Sequence, residues 1–233
     1  MTARALLALL LLVVPAAAAL VEPPAPAQDA TIQPGDRLRS FSVACTAGFV
    51  FDGLGARAGR VYVSSAAHCF STLGQLVSSD AQANFGVLVH LGDGRHVEQD
   101  YALIEVRPEF HHLVRGAVRG HPGIPRDVAR AGTTAPLDEV QVSGHGAGFE
   151  LTAATREGRR ALLASHDATT QRLVGPLLSG DSGGPLVHLP SGDALGLVSR
   201  IRVPCECTQL GPTIEHVMEQ AAAQGYPLAL RRA

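Results

Sequence analysis

From residue 38 onward the chain is a succession of short β-rich runs, each closed by Gly, Pro, Asp or Ser. The runs are "FSVACTAGFVF" (41–51), "GRVYVSSAAHC" (59–69), "NFGVLVHLGDG" (84–94), "DYALIEV" (100–106), "DEVQVSGHG" (138–146), "RALLASHD" (160–167), "GPLVHL" (184–189) and "LGLVSRI" (195–201). Short strands at this spacing argue for an all-β barrel or sandwich. No repeat of 20–50 residues is visible. One helix interrupts the pattern. After Gly211-Pro212, the residues Ile214, Val217, Met218, Ala221 and Ala222 recur at i, i+3, i+4, i+7 and i+8. Pro212 is expected in the first helical turn and Gly225 at the exit. An amphipathic stripe of this kind packs on a core more often than on a partner. Residues 115–136, rich in Gly, Pro and Arg, read as a linker between two halves, with a strand inside it as an open alternative.

The 233 residues suffice for one large domain or two small ones, and a net charge of -2 leaves no nucleic-acid footprint. The N-terminus reads as an export signal: Arg4, then the unbroken apolar "ALLALLLLVV" (5–14), then Pro15 and A-x-A patterns ending at Ala18 or Ala19. A second cleavage point ends at Ala27. The competing reading is an uncleaved anchor, but residues 5–21 barely span a bilayer and Pro15 interrupts them. The expectation is a signal peptide over 1–19, a linker or short pro-segment over 20–35, and no stable membrane insertion after cleavage. The mature protein is then secreted or held in the periplasm or cell envelope. Cys45, Cys69, Cys205 and Cys207 are even in number, which in an exported chain favours disulfides over zinc. The single C-x-C and scattered histidines lack zinc-site spacing, so neither a metal nor another cofactor is expected.

"SGDSGGPLV" (179–187) sets Ser182 among glycines behind Asp181. A serine hydroxyl is a poor nucleophile without an adjacent base. Two earlier stretches offer one: "SSAAHCF" carries His68, and "QDYALIEV" puts Asp100 at the head of a strand. Taken singly, a histidine is usually a surface or hydrogen-bonded core residue and an aspartate before a strand is usually a turn former. Together, in this order and in an exported all-β chain, they point to a nucleophile, a base and an acid that orients the base.

On these motifs, with "CTAGFVF" and "VSGHG" in support, the chain resembles the chymotrypsin-like serine proteases, especially their bacterial secreted members. The resemblance covers roughly residues 43–201. It implies two six-stranded antiparallel β-barrels packed on each other, over 36–114 and 137–210, with a C-terminal α-helix over 211–225. His68 and Asp100 come from the first barrel and Ser182 from the second. Catalysis would use His68, Asp100 and Ser182, with an oxyanion hole from the backbone N–H groups of Gly180 and Ser182 and a Cys45–Cys69 disulfide beside the histidine. Asp181 would be a buried structural acid. No Ile-Val-Gly-Gly-like start precedes Cys45, so an arginine is expected to take the place of a freed N-terminus as its partner. Substrates would be proteins or peptides, cut through an acyl-enzyme by a monomer.

The specificity pocket departs from the family. It is expected around Pro176, Leu177, Ser199, Arg200 and Ile201. Ile201 stands where the family has glycine, which should narrow the pocket. No acid stands near Pro176 and Leu177 to favour a basic side chain, and no histidine precedes Ser199 to favour glutamate. A small or modest apolar residue before the cleaved bond is the expectation. In an extended strand the side chains of Cys205 and Cys207 would lie too far apart to bond well; a strained tight turn helped by Pro204 and pairing to another chain are the open alternatives. Two competing classes remain: a non-catalytic secreted homologue acting as a binding module, and a surface-anchored hydrolase if the signal is retained.

Overall fold

A computed structural model of the chain describes residues 30–40, 43–146, 158–202 and 208–232. The segment read as an export signal, the start of the first run and the pair Cys205 and Cys207 therefore lie outside the described residues. In chain order the strands are β1 (Arg37–Ser40), β2 (Val43–Thr46), β3 (Val50–Gly53), β4 (Val61–Ser65), β5 (Leu76–Ser79), β6 (Gly86–Leu91) and β7 (Ala102–Val106), then β8 (Glu139–Val142), β9 (Arg159–His166) and β10 (Thr170–Val174). They continue with β11 (Pro185–His188), β12 (Asp193–Leu197), β13 (Arg200–Arg202) and β14 (Thr208–Pro212). Helix α1 (Ile214–Ala223) and strand β15 (Leu228–Leu230) follow.

The strands form two antiparallel sheets, which curl into a half-barrel and a nearly closed barrel. The first runs β15-β3-β4-β7-β6-β5-β1-β2 and the second β12-β11-β8-β9-β10-β14-β13. Their eight and seven strands exceed the six expected of each. In the first, the excess includes β15, which comes from beyond the helix and pairs Leu228 with Gly53 and Leu230 with Phe51.

β7 shows why "DYALIEV" is apolar almost throughout rather than alternating. Ala102, Ile104 and Val106 enter the core of the first sheet with Leu38, Val63 and Phe85. Tyr101 and Leu103 enter a second core shared with Val187 and Leu197 of the other sheet and with Ile214, Val217 and Ala221 of α1. A strand covered on both faces has no polar side to show. A third core fills the second sheet with Val140, Leu163, Leu173, Leu186 and Val198.

α1 begins two residues later than Pro212 suggests. Pro212 ends β14, and Thr213 is the cap, its side-chain oxygen accepting from the His216 N–H at 3.1 Å. A threonine hydroxyl satisfies one of the free N–H groups of the first turn, which proline cannot do. Ile214, Val217 and Ala221 are buried as the stripe requires, while Ala222 is exposed. Gly225 leaves the helix at φ +86°.

Where they fall within the described residues, the segments read as linkers are packed. Ile32 is wholly buried and bridges Val114. In residues 115–136, Val118 and Ala129 are buried, Val128 bridges Ala194, and the Arg119 guanidinium pairs with the Asp36 carboxylate. Cys45 and Cys69 are joined, tying β2 to the turn that carries His68. Closing a loop of 24 residues' separation stabilises the fold by about 3 kcal/mol, chiefly by restricting the unfolded chain.

Tyr101, stacked on His90 at 4.8 Å, is buried, and burial pushes its phenol up to about 12. An unfolded tyrosine ionises near pH 10. The neutral phenol therefore contributes stability in full below about pH 10, and that contribution is lost as pH rises towards about 12. Phenolate absorbance should accordingly appear together with loss of the β-sheet circular dichroism across this window, and Tyr101→Phe should move the unfolding midpoint to higher pH.

Candidate active site

β4 runs from Val61 to Ser65 and passes directly into the 3-10 turn Ala67–Cys69, which presents His68 at the sheet end. A second 3-10 turn, Val97–Gln99, leads to Asp100 just ahead of β7. Because β4 and β7 are paired, Ser65 opposite Ala102, the two side chains leave adjacent strand ends. Ser182 comes from the other sheet, in a tight loop ahead of β11. There the Asp181 N–H donates to the Leu178 carbonyl at 3.0 Å and the Gly184 N–H to the Asp181 carbonyl at 2.7 Å. Gly180 and Gly183 flank the serine at φ +103° and +85°, a region that strains any residue with a side chain. Space excludes a side chain at Gly183 as well. A Cβ there would stand 2.2 Å from the Ser65 hydroxyl and 2.7 Å from the Ala66 nitrogen. The run of small residues before His68 thus lets the serine loop approach.

The three side chains meet. His68 Nδ1 is 2.7 Å from Asp100 Oδ2, and its Nε2 is 2.9 Å from Ser182 Oγ. Ionised carboxylate only accepts, so Nδ1 carries the proton and Nε2 is left to accept from the serine hydroxyl. Asp100 has no exposed surface; its Oδ1 also accepts from the His68 backbone N–H at 3.0 Å, and Oδ2 accepts from the Ser199 hydroxyl. Burial alone would raise the Asp100 carboxyl, but the hydrogen bond and charge of the His68 ring, with the Ser199 and backbone donors, hold it below the usual carboxylate range. The His68 side chain is 36% exposed, so the Nε2–Oγ end of the chain opens to solvent while the acid end is sealed.

β2 grips the serine loop from the first sheet. The Thr46 N–H donates to the Ser182 carbonyl and the Thr46 hydroxyl to the Gly180 carbonyl, both at 2.8 Å. With both carbonyls turned towards Thr46, the N–H groups of Gly180 and Ser182 find no protein acceptor among the described residues. Asp181, fully buried, points the opposite way. It accepts from the N–H groups of Gly146 at 2.7 Å and Leu178 at 2.8 Å, and pairs with Arg159 Nη2 at 2.5 Å. Arg159 is therefore the arginine expected in place of a freed N-terminus. Gly144 and Gly146 of "VSGHG" are required by this approach, since a Cβ on either would come within 2.7 Å of Asp181 Oδ1.

The pocket residues are placed less uniformly. Pro176 is exposed, and its carbonyl accepts from Arg159 at 3.0 Å. Leu177 is wholly buried in the core of the second sheet, where it packs as a structural residue. Ser199 is taken up by Asp100. Arg200 is exposed and donates to the carbonyls of Gly94, at 2.8 Å, and Arg95. The backbone of Ile201 pairs with Gln209, and its side chain lies outside the described residues. Sequence reasoning missed Thr46 and the link from Ser199 to Asp100; neither residue differs locally from an ordinary strand residue.

A second Asp–His–Ser chain exists elsewhere. His188 stands between Asp138, at 2.9 Å, and Ser191, at 2.8 Å. His188 is 2% exposed, and Ser191 belongs to the hairpin that follows β11, so the chain braces that hairpin against the entry to β8. Among the described residues no group of His, Cys, Asp and Glu forms a metal site.

No protein-family model matches the sequence, and no curated protein matches it. Solved structures do. Protease A from Thermobifida fusca aligns with a TM-score of 0.63 at 16% identity, over 86% of this chain and 100% of that one. The Nocardiopsis protease aligns at 0.62 and 18%, over 86% and 99%. Cellulomonas bogoriensis chymotrypsin aligns at 0.59 and 16%, over 87% and 100%. Two docked antiparallel sheets, the trailing helix and these likenesses show that the chain has the fold of the bacterial chymotrypsin-like serine proteases.

Proposed function

We propose that the protein is a secreted serine endopeptidase. The observation that carries this reading is the continuous chain from the buried Asp100 through His68 to Ser182, with distances of 2.7 and 2.9 Å. In it, Ser182 Oγ attacks the peptide carbonyl carbon as His68 Nε2 takes its proton. The tetrahedral oxyanion is held by the N–H groups of Gly180 and Ser182, each donor supplying roughly 3 kcal/mol in the transition state. His68 then hands the proton to the leaving amine, and water repeats the sequence on the acyl-enzyme. Asp100 fixes the tautomer and stabilises the imidazolium while staying ionised, in keeping with its lowered pKa. Small or modest apolar residues precede the cleaved bond. Export follows from the N-terminal signal; among the described residues no helix is long and apolar enough to cross a membrane.

A fluorophosphonate probe tests the reading directly, because it reacts only with a serine whose proton is being withdrawn. The folded protein should be labelled at Ser182 and lose peptide hydrolysis in step with labelling. A folded protein that stays unlabelled would instead be a binding module on the same fold.

A further inference from the structure

Arg200 stands beside the triad without belonging to it. Its strand, β13, is the last of its sheet: it pairs with β14 through Arg200–Leu210, Ile201–Gln209 and Arg202–Thr208, and no strand covers its other edge among the described residues. The Arg200 side chain crosses to the other sheet, where its Nη2 donates to the carbonyls of Gly94 and Arg95. That loop sits on the base itself, since a Cβ on Gly94 would stand 3.2–3.3 Å from the His68 nitrogen, Cα and Cβ. Two neutral carbonyls orient the guanidinium but leave its charge uncompensated, and Arg200 forms no ion pair among the described residues. The carboxylate next to Gly94 in the chain, Asp93, is already used by the Arg95 N–H at 3.0 Å and by His96 Nδ1 at 2.8 Å. Arg95 is exposed and adds charge of the same sign.

An open strand edge next to a nucleophile is a template on which a peptide adds as a further strand. A peptide whose carbonyl reaches Ser182 and which lies on β13 passes Ser199 first and Arg200 next. Successive side chains of an extended peptide alternate between faces. If the residue at the cleaved bond turns into the second sheet, the second and fourth residues before that bond turn towards the first, where the guanidinium is held. We propose that Arg200 selects substrates with an acidic side chain at the second or fourth residue before the cleaved bond, which presupposes the endopeptidase reading above. A guanidinium held in place by backbone carbonyls binds carboxylate through its remaining N–H groups without first losing freedom of its own.

The test is a set of peptides with alanine at the cleaved position and Glu or Gln at the second, third or fourth residue before it. Glu should raise kcat/KM about tenfold over Gln at the second or fourth residue, the size of one charge-assisted hydrogen bond, and leave the third unchanged. The preference should fall as salt is added to the wild-type protein, a measurement that needs no variant. Arg200→Gln should bring the Glu-to-Gln ratio close to one, and Arg200→Glu should turn the preference towards Lys. If Ser182 is labelled and peptides are cut with a flat profile, or if the ratio survives Arg200→Gln, this inference fails and the endopeptidase reading stands. If nothing is labelled or cut, both fall.

Discussion

Ser182→Ala and His68→Ala should each lower kcat by about 10⁶-fold, and the double variant should lose little more. The two side chains act as one unit: without the base at 2.9 Å the hydroxyl keeps its proton, and without the hydroxyl the base has no proton to take. The residual rate, about 10³-fold or more above water, would come from the N–H groups of Gly180 and Ser182 and from binding. Steady-state hydrolysis of one peptide by the three variants, with circular dichroism to show that each is folded, measures this. Two single losses that multiplied in the double variant would mean that the groups work independently, which their contact does not allow.

Arg159→Met should destabilise the fold by about 3–5 kcal/mol and remove most activity. The change leaves Asp181, with no exposed surface, as an uncompensated charge at the base of the serine loop. The same carboxylate holds the N–H groups of Gly146 and Leu178, and so the turn on which Gly180 and Ser182 are shaped. Adding Asp181→Asn to Arg159→Met should restore part of the stability, because the stranded charge is gone, but not the activity, because the turn is no longer drawn in from both sides. Urea midpoints for the wild type, both single variants and the double variant complete the cycle. A double variant less stable than Arg159→Met would show that the charge was not the cost.

The meeting of Asp100, His68 and Ser182 was legible because a nucleophile, a base and an orienting acid call for particular residue types in particular company: His68 after small residues, Asp100 at a strand head, Ser182 between glycines. The strands β4, β6, β7, β9 and β11 were legible from their apolar content. β10 and β14 were not. Each carries a glutamine where a core strand usually shows an apolar residue, and both Gln171 and Gln209 are buried, with side-chain amides donating to the Leu197 carbonyl at 3.0 and 3.2 Å. An amide that satisfies a core carbonyl looks, in sequence, like a surface residue. β15 escaped because its partner β3 is distant in sequence, and β1 because its four residues, "RLRS", carry a single apolar side chain. Arg159 could be expected as a type but not as a position, since nothing local distinguishes it from Arg160, which is bound to Glu139 on the exposed side. The packing of Ile32 and Val118 was hidden for a simpler reason: a single buried apolar residue in a polar run has no periodicity to reveal it.

The strand that completes the first sheet has a consequence in time rather than in space. A chain made from its N-terminus emits β3 long before β15, the strand that closes on it, and the helix that packs between the two sheets also arrives late. Contacts so far apart in sequence form slowly and only after the intervening chain is available. A nascent chain therefore carries its histidine and aspartate on an unfinished sheet, with the serine still to come. On the proposed reading, an endopeptidase that ripens only when its tail has docked is spared the risk of cutting itself, or the machinery around it, before it is finished.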